Sequence, residues 1–212
     1  MKSGNRYIPL VKRKNEPVNT AKLYLGRHCK TEWNLERKLI GSTDLPLCEF
    51  GWNEAKETLP LVKSYGFDRI VSSPLQRAYQ TSRYYADNLG IPLDIHEGLR
   101  ELDHGDWNGQ KYDDLLADPS SRFKEWFIEG DVSIPIPNAP ETLEEVQERI
   151  RKAVKEIALA YPGEKVLVVM HKHIRSLLTC YLRGESLSNF RKNIDEAVEP
   201  LEFPDEDLAK LL

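Results

Sequence analysis

The sequence predicts an α/β protein with three layers, in which a mostly parallel central sheet lies between helices and carries a small inserted helical cap. Residues 22–27 and 166–170 are short runs with the composition of buried strands. Helical patterns alternate with strand-like runs, which is typical of parallel sheets. Residues 112–141 depart from that alternation, so we expect an insertion at about residues 106–141. At 212 residues, a single domain covering residues 21–212 is expected.

The first 20 residues are polar, contain a basic cluster at residues 12–14 and show no sustained periodicity. We predict that residues 1–20 form a flexible extension, with a docking or membrane-binding arm as the alternative. The run KLYLGR that follows, residues 22–27, is apolar in its middle and stops at a charge. This pattern predicts a buried strand with His28 just beyond its carboxyl end.

The next elements are a helix and a strand, and then a second helix. Residues 51–65 have an amphipathic pattern that Pro60 is expected to break, and residues 69–72 resemble a strand. Ser73, with Gln76 three residues later, resembles a capping box that opens a helix. Apolar residues at helical spacing continue as far as the terminating sequence at residues 90–92.

The carboxyl-terminal half repeats this order. Thr142 and Glu145 form a second capping-box pattern before a regular apolar stripe, which Pro162 closes. Residues 166–170 are five apolar residues in a row, as expected for a central parallel strand. An amphipathic helix is predicted directly after them.

The composition argues against several classes of protein. Acidic and basic residues are mixed along the chain, with a net charge of -4, so nucleic acid is not an expected partner. We find no apolar stretch long enough to span a bilayer and no signal peptide, so the expected location is cytoplasmic, without a membrane partner. Cys29, Cys48 and Cys180 are widely spaced, which argues against disulfides and against a zinc or redox motif.

Positive groups follow the predicted strands at the places where α/β proteins bind ligands. These groups are Arg27 with His28, Arg77 and His171. Arg77 would lie in the first turn of a helix, where a cation is normally disfavoured. A bound anion would remove that conflict, because helix amino ends and guanidinium groups both bind phosphate.

Four motifs in this sequence resemble those of the histidine phosphatase (phosphoglycerate mutase-like) superfamily. LGRHCKTEWN at residues 25–34 is similar to the R-H-G-x-T-x-x-N signature, and SSPLQRAYQT at residues 72–81 resembles S-S-P-L-x-R-A-x-Q-T. GLRELDHGDWNG at residues 98–109 resembles L-R-E-x-x-x-G-x-W-x-G, and VLVVMHKHIRSLL at residues 166–178 is similar to the last strand and its histidine. The motifs occur in the expected order, so the resemblance covers most of the chain.

The resemblance implies a role for each matching residue. His28 would be the nucleophile and Glu101 the proton donor, while Arg27, Asn34, Arg77 and His171 would bind the phosphate, with His171 also counted as catalytic. Such a site needs no metal and no other cofactor, because positive side chains can stabilise the transferring phosphoryl group. We expect a backbone carbonyl to hold one ring nitrogen of His28. We also expect Glu101 to be protonated near neutral pH.

Two departures from the family pattern are lysines. Lys30 replaces a residue that is usually acidic, and Lys172 follows His171 where small residues are usual; Arg175 lies four rather than five positions beyond His171, which suggests a shorter loop. Both lysines would border the pocket mouth, either as solvated ammonium groups or as ligands of a second anionic group on the substrate. Thr43 is a further candidate substrate contact.

Other reactive side chains are expected to be structural. Cys29 takes the place of a small residue beside His28, and we expect no thiolate chemistry there. His96, His104 and His173 could be offered as metal ligands, but without an acidic cluster they are interpreted as surface or packing residues.

The sequence therefore predicts a metal-independent phosphomonoesterase that acts on a small phosphorylated metabolite through a phosphohistidine. A cofactor-dependent phosphoglycerate mutase is the alternative within the family, and an inactive phosphate-binding scaffold is the alternative from another class. The physiological ester stays open, and so does the choice between a monomer and a homodimer.

Overall fold

The computed structural model describes residues 19–212. The predicted extension at residues 1–20 therefore lies, except for its last two residues, outside the described part of the chain. No helix within that part is long and apolar enough to cross a membrane.

A five-stranded sheet forms the centre, in the order β3-β2-β4-β1-β5. The strands are β1 Lys22–Arg27, β2 Arg69–Ser72, β3 Leu93–Ile95, β4 Lys165–Met170 and β5 Leu201–Glu202. All neighbours are parallel except β5, which runs antiparallel to β1 at the sheet edge. The prediction of a mostly parallel sheet is confirmed. Because β1, β2 and β4 are parallel, their carboxyl ends meet at one edge.

Helices cover both faces of the sheet. They are α1 Glu32–Leu35, α2 Glu49–Ser64, α3 Gln76–Leu89, α4 Tyr112–Ala117, α5 Leu143–Ala160, α6 Lys172–Arg183 and α7 Asp205–Leu211. Side chains of a strand alternate between faces, and those of β4 do so between two separate cores. Val166, Val168 and Met170 pack in the core formed with α5 and α6, whereas Leu167 and Val169 pack in the core formed with α2 and α3. This division produces the three layers.

Local sequence patterns predict the start of α5 correctly, but they fail at Pro60 in α2 and at the start of α3. Thr142 and Glu145 form the expected capping box of α5, which ends at Ala160. The predicted break at Pro60 is wrong, since α2 continues through it. Buried residues before and after the proline, Ala55 and Val62, hold the helix against the sheet.

The predicted capping box at Ser73 is also wrong. The helix α3 begins at Gln76, and its N-cap, Leu75, makes no side-chain cap. The hydroxyl of Ser73 accepts from the amide of Leu75 at 3.3 Å and lies 2.7 Å from His171 Nε2. Ser73 therefore contacts His171 across the sheet edge and does not cap α3.

The insertion expected at residues 106–141 folds around an aromatic cluster. It contains α4, a 3-10 turn at Pro119–Ser121 and a π-helical turn at Glu125–Glu129. Trp107, Phe123 and Trp126 are buried with ring centroids 5.1–6.0 Å apart. This cluster anchors the insertion above the sheet edge where the candidate site lies.

Candidate active site

Two histidines face each other where neighbouring strands end. Arg27 at the end of β1 pairs in register with Met170 at the end of β4. His28 and His171 therefore leave the sheet side by side, and their ring centroids are 5.1 Å apart. Both side chains are buried. The structure thus brings together two histidines that lie 143 residues apart in the sequence.

His28 is arranged as a neutral nucleophile. Its Nδ1 lies 2.7 Å from the carbonyl oxygen of Cys29, which confirms that a backbone carbonyl holds one ring nitrogen. When Nδ1–H donates to this carbonyl, Nε2 keeps its lone pair. Burial, and then the charge of Arg77, holds the pKa of His28 well below its usual value. The imidazole is therefore uncharged at neutral pH and able to attack.

Two buried guanidinium groups lie at the same edge. Arg77 donates from its two terminal nitrogens to the carbonyls of Thr43 at 2.8 Å and Gly41 at 2.7 Å. Arg27 donates to the carbonyl of Glu196 at 2.8 Å. The Nε of each arginine is buried without a hydrogen-bond partner among the described residues. Both groups are therefore held by backbone oxygens and keep a donor for an anion.

Thr43 lies next to the site through its backbone. Its carbonyl oxygen accepts from Arg77 at 2.8 Å and so helps to position that guanidinium group. Contact between Thr43 and the substrate stays a prediction.

His171 can act as a hydrogen-bond donor next to His28. Its Nε2 lies 2.7 Å from the hydroxyl of Ser73, and its Nδ1 is buried with no partner in the described part of the chain. The Leu75 amide donates to that hydroxyl, so the hydroxyl group of Ser73 can in turn donate a hydrogen bond to Nε2. The tautomer inferred from this network carries its hydrogen on Nδ1. Burial lowers the pKa of His171 well below its usual value.

Glu101 is a buried carboxyl group at the amino terminus of α6. It accepts from three backbone amides, those of Leu102 at 2.9 Å, His173 at 3.3 Å and Ile174 at 3.2 Å. His171 is the N-cap of α6, so the helix begins directly after it. The shorter loop after His171 raises the question whether the backbone amides there bind the phosphate. Two of them, those of His173 and Ile174, donate to Glu101 instead.

These contacts correct the prediction that Glu101 is protonated at rest. Burial alone raises the pKa of the carboxyl group, whereas the contact with His173, whose Nδ1 lies 3.3 Å from Oε2, lowers it. The three amides favour the charged form as well. The pKa of Glu101 lies well below its usual value, so the group is a carboxylate in the unliganded protein.

Asn34 borders the site but has a second task. Its side-chain oxygen accepts from the amide of Thr31 at 3.0 Å and the hydroxyl of Thr31 at 3.1 Å, which completes the capping box of α1. The amide nitrogen of its side chain has no partner among the described contacts and is left for a ligand.

A cavity of about 510 Å³ opens over these groups. Its lining includes seven basic side chains against two carboxylates, Glu101 and Glu196. The basic residues are Arg27, Lys30, Arg37, Lys38, Arg77, Lys172 and Arg191. The cavity therefore suits a substrate with more than one negative charge.

Both unusual lysines border this cavity, as expected. Lys172 is not a solvated ammonium group, because its Nζ lies 2.7 Å from Glu196 and 5.5 Å from the ring centroid of Tyr112. Lys30 and Arg191 form no ion pair within the described residues, and Arg191 lies 4.7 Å from the ring centroid of Phe127.

The cavity residues that sequence reasoning missed include Arg37, Lys38, Tyr112, Phe127, Arg191 and Glu196. Most come from the insertion or from the segment after α6, where no motif marks them. The aromatic residues of the insertion were the available signal.

The remaining reactive side chains are buried or occupied. Burial raises the pKa of Cys29 to about 12, so its thiol is not ionised. His96 contacts Glu156 at 3.1 Å on the surface, whereas His104 and His173 are fully buried beside Glu101. Residues 19–212 contain no cluster of three or more His, Cys, Asp or Glu side chains arranged to hold a metal ion.

Comparison with known proteins extends the likeness beyond these motifs. The model of the histidine phosphatase superfamily, branch 1, matches residues 23–198. The chain is 33% identical to the uncharacterized phosphatase PhoE of Bacillus subtilis (strain 168), over 86% of this chain and 88% of that protein. It is 31% identical to the probable phosphoglycerate mutase GpmB of Enterobacter sp. (strain 638), over 70% of this chain and 68% of that protein.

A solved structure shares the fold as well. The mycobacterial glucosyl-3-phosphoglycerate phosphatase superimposes with a TM-score of 0.70 at 25% identity, covering 82% of this chain and 84% of that one. The family model alone spans more than half of the chain. The chain belongs to the histidine phosphatase superfamily and is a phosphatase.

Proposed function

We propose that this phosphatase hydrolyses monoesters of small metabolites through a phosphohistidine on His28, without a metal ion. The observation that carries the proposal is the neutral His28 imidazole, held through Nδ1 by the Cys29 carbonyl beside two buried arginines. A fixed tautomer next to phosphate-binding donors is what covalent phosphoryl transfer requires.

In the first step, Nε2 of His28 attacks phosphorus in line with the leaving oxygen. The phosphorus–oxygen bond breaks as the nitrogen–phosphorus bond forms, and Glu101 gives its proton to the leaving oxygen. Arg27 and Arg77, together with His171, stabilise the negative charge on the three transferring oxygens. In the second step, water attacks phosphorus and loses its proton to Glu101, and His28 leaves as a neutral imidazole.

Glu101 acquires its proton when substrate binds. It is a carboxylate in the unliganded site, but the arriving phosphate brings negative charge close to it. Like charge raises the pKa of a carboxyl group, so the complex takes up the proton that the leaving oxygen needs. Positive side chains stabilise the charge that a metal ion would otherwise stabilise, so activity should persist in the presence of a chelator.

The cavity favours esters with a second anionic group. Seven cations against two carboxylates leave an excess of positive charge after one phosphate is bound. Lys30 and Arg191 have no carboxylate partner among the described residues, so they are the cations best able to bind a distal carboxylate or phosphate. The phosphoglycerate and glucosyl-3-phosphoglycerate in the names of two relatives both carry a carboxylate.

A trapping experiment tests the mechanism. The protein is quenched during turnover of a labelled phosphate ester, and the label is located by peptide mapping. We expect acid-labile label on His28 in the natural protein and in the matched control His96→Ala, and none in His28→Ala. Label on Cys29 or on a serine would contradict the proposal.

Product analysis separates the alternatives. Inorganic phosphate released from 3-phosphoglycerate indicates a phosphatase acting on that ester, whereas 2-phosphoglycerate without net release indicates the mutase. Failure to release phosphate from any ester, p-nitrophenyl phosphate included, would favour the inactive scaffold.

A further inference from the structure

A pair of buried histidines lies beside Glu101. His173 Nδ1 is 3.3 Å from Oε2 of Glu101. The ring of His104 meets that of His173 edge-on, with centroids 4.7 Å apart and planes at 71°. Trp126 lies 6.1 Å from His104, and Phe190 lies 6.4 Å from His173, between ring centroids. The two imidazoles are therefore enclosed by other rings.

The polar atoms of this pair are poorly satisfied. None of the four ring nitrogens of His104 and His173 has a well-aligned hydrogen bond in the described part of the chain. Burying such groups destabilises a fold, and phenylalanine rings would occupy the space without that penalty. The contact that a histidine makes here, and a phenylalanine could not, is the one between His173 Nδ1 and the Glu101 carboxylate.

We propose that His173, held in place by His104, is a positioning residue that directs its Nδ1–H to Glu101 and sets the pH range in which Glu101 holds a proton. Burial lowers the pKa of His173, so the ring is neutral and keeps its own proton throughout the reaction. The inference rests on the proposed function, because it assumes that Glu101 protonates the leaving group.

Charged and titratable groups from several elements face this carboxyl group. They are His171, His173 and the amino end of α6, His104 from the loop after Glu101, Arg77 from α3 and Tyr112 from α4. Among them, His173 has its Nδ1 in contact with the carboxylate, at 3.3 Å, and it can be replaced without touching the phosphate-binding residues Arg77 and His171.

The test measures the single-turnover rate of His28 phosphorylation at saturating substrate as a function of pH. Phosphoserine has a basic alkoxide leaving group that needs the proton of Glu101, whereas p-nitrophenyl phosphate does not. The rate with phosphoserine should therefore fall above the pH at which Glu101 loses its proton in the complex. In His173→Phe that limb should move to higher pH by about one unit, because a donor to the carboxylate is lost.

Two further variants sharpen the test. His173→Gln keeps a donor at this position, so its limb should lie between those of the natural protein and His173→Phe. His96→Gln removes a histidine outside the pair and should leave the profile unchanged. The profile with p-nitrophenyl phosphate should not move in any of them. Thermal unfolding is measured alongside and should show that His173→Phe is folded.

The inference is wrong if the phosphoserine limb stays in place in His173→Phe, if both substrates shift together, or if His173→Gln shifts as far as His173→Phe. If the natural protein is not phosphorylated on His28 by either substrate, the proposed function fails first. The two failures are therefore distinguishable.

Discussion

Mild acid is expected to destabilise the fold through four buried histidines, His28, His104, His171 and His173. Burial lowers the pKa of each below the usual 6.5. The folded protein keeps them neutral, while the unfolded chain binds protons as the pH falls below that value, so their contribution to stability is present above it and lost below it. At about pH 5.5 the loss is at most about 5 kcal/mol for the four histidines together.

That upper limit reaches the lower end of the total stability of native domains, about 5–15 kcal/mol. Urea unfolding followed by tryptophan fluorescence at about pH 7.5 and about pH 5.5 would measure it. The double variant His104→Phe with His173→Phe should lose about half as much, and the surface variant His96→Phe should behave like the natural protein. A loss below about 1.5 kcal/mol, or an equal loss in the double variant, would refute the reasoning.

Four further outcomes follow from the site and the fold. Glu101→Gln should slow hydrolysis of phosphoserine by about 10²- to 10⁴-fold and that of p-nitrophenyl phosphate far less; equal losses in the two assays would mean that Glu101 is not the proton donor. Lys30→Ala should raise KM for phosphoserine several-fold with a smaller change in kcat. Lys172→Ala should have the same effect to a lesser degree, because Lys172 is already paired with Glu196. Neither variant should change KM for p-nitrophenyl phosphate. Turnover should persist in excess EDTA, and its loss with recovery on adding Mg²⁺ or Zn²⁺ would show that a metal is needed. Thr142→Ala should lower the free energy of unfolding by about 0.5–2 kcal/mol through loss of the α5 cap, which urea unfolding measures.

Much of the fold was predictable because its signals are local. The five apolar residues before His171 and the capping box at Thr142 each depend on neighbours within one element. Parallel strands then bring their carboxyl ends to one edge, so the meeting of His28 and His171 followed from topology. A backbone carbonyl was foreseeable because attack by His28 needs one fixed ring nitrogen, but only the structure shows that it is the carbonyl of Cys29.

The charge state of Glu101 was not predictable in this way. Two of its amide donors lie 72 and 73 residues away along the chain, and they reach it only because α6 begins directly after His171. Ser73 shows the same limit, since its contact with His171 spans 98 residues. The sequence predicted a protonated Glu101 and a capping role for Ser73, and in both cases a partner distant in the chain decided otherwise.

The sequence by itself determined the family of this protein and the reactive groups that meet at the strand ends, since those residue types and the topology that gathers them follow from local patterns. Only the tertiary structure decided how those groups are ionised and what surrounds them. Ionisation depends on burial and on charges that approach through space. The cavity wall is formed by segments that carry no motif. In it the carbonyl of Glu196 accepts from Arg27, 169 residues away along the chain, and Arg191 lies over the ring of Phe127.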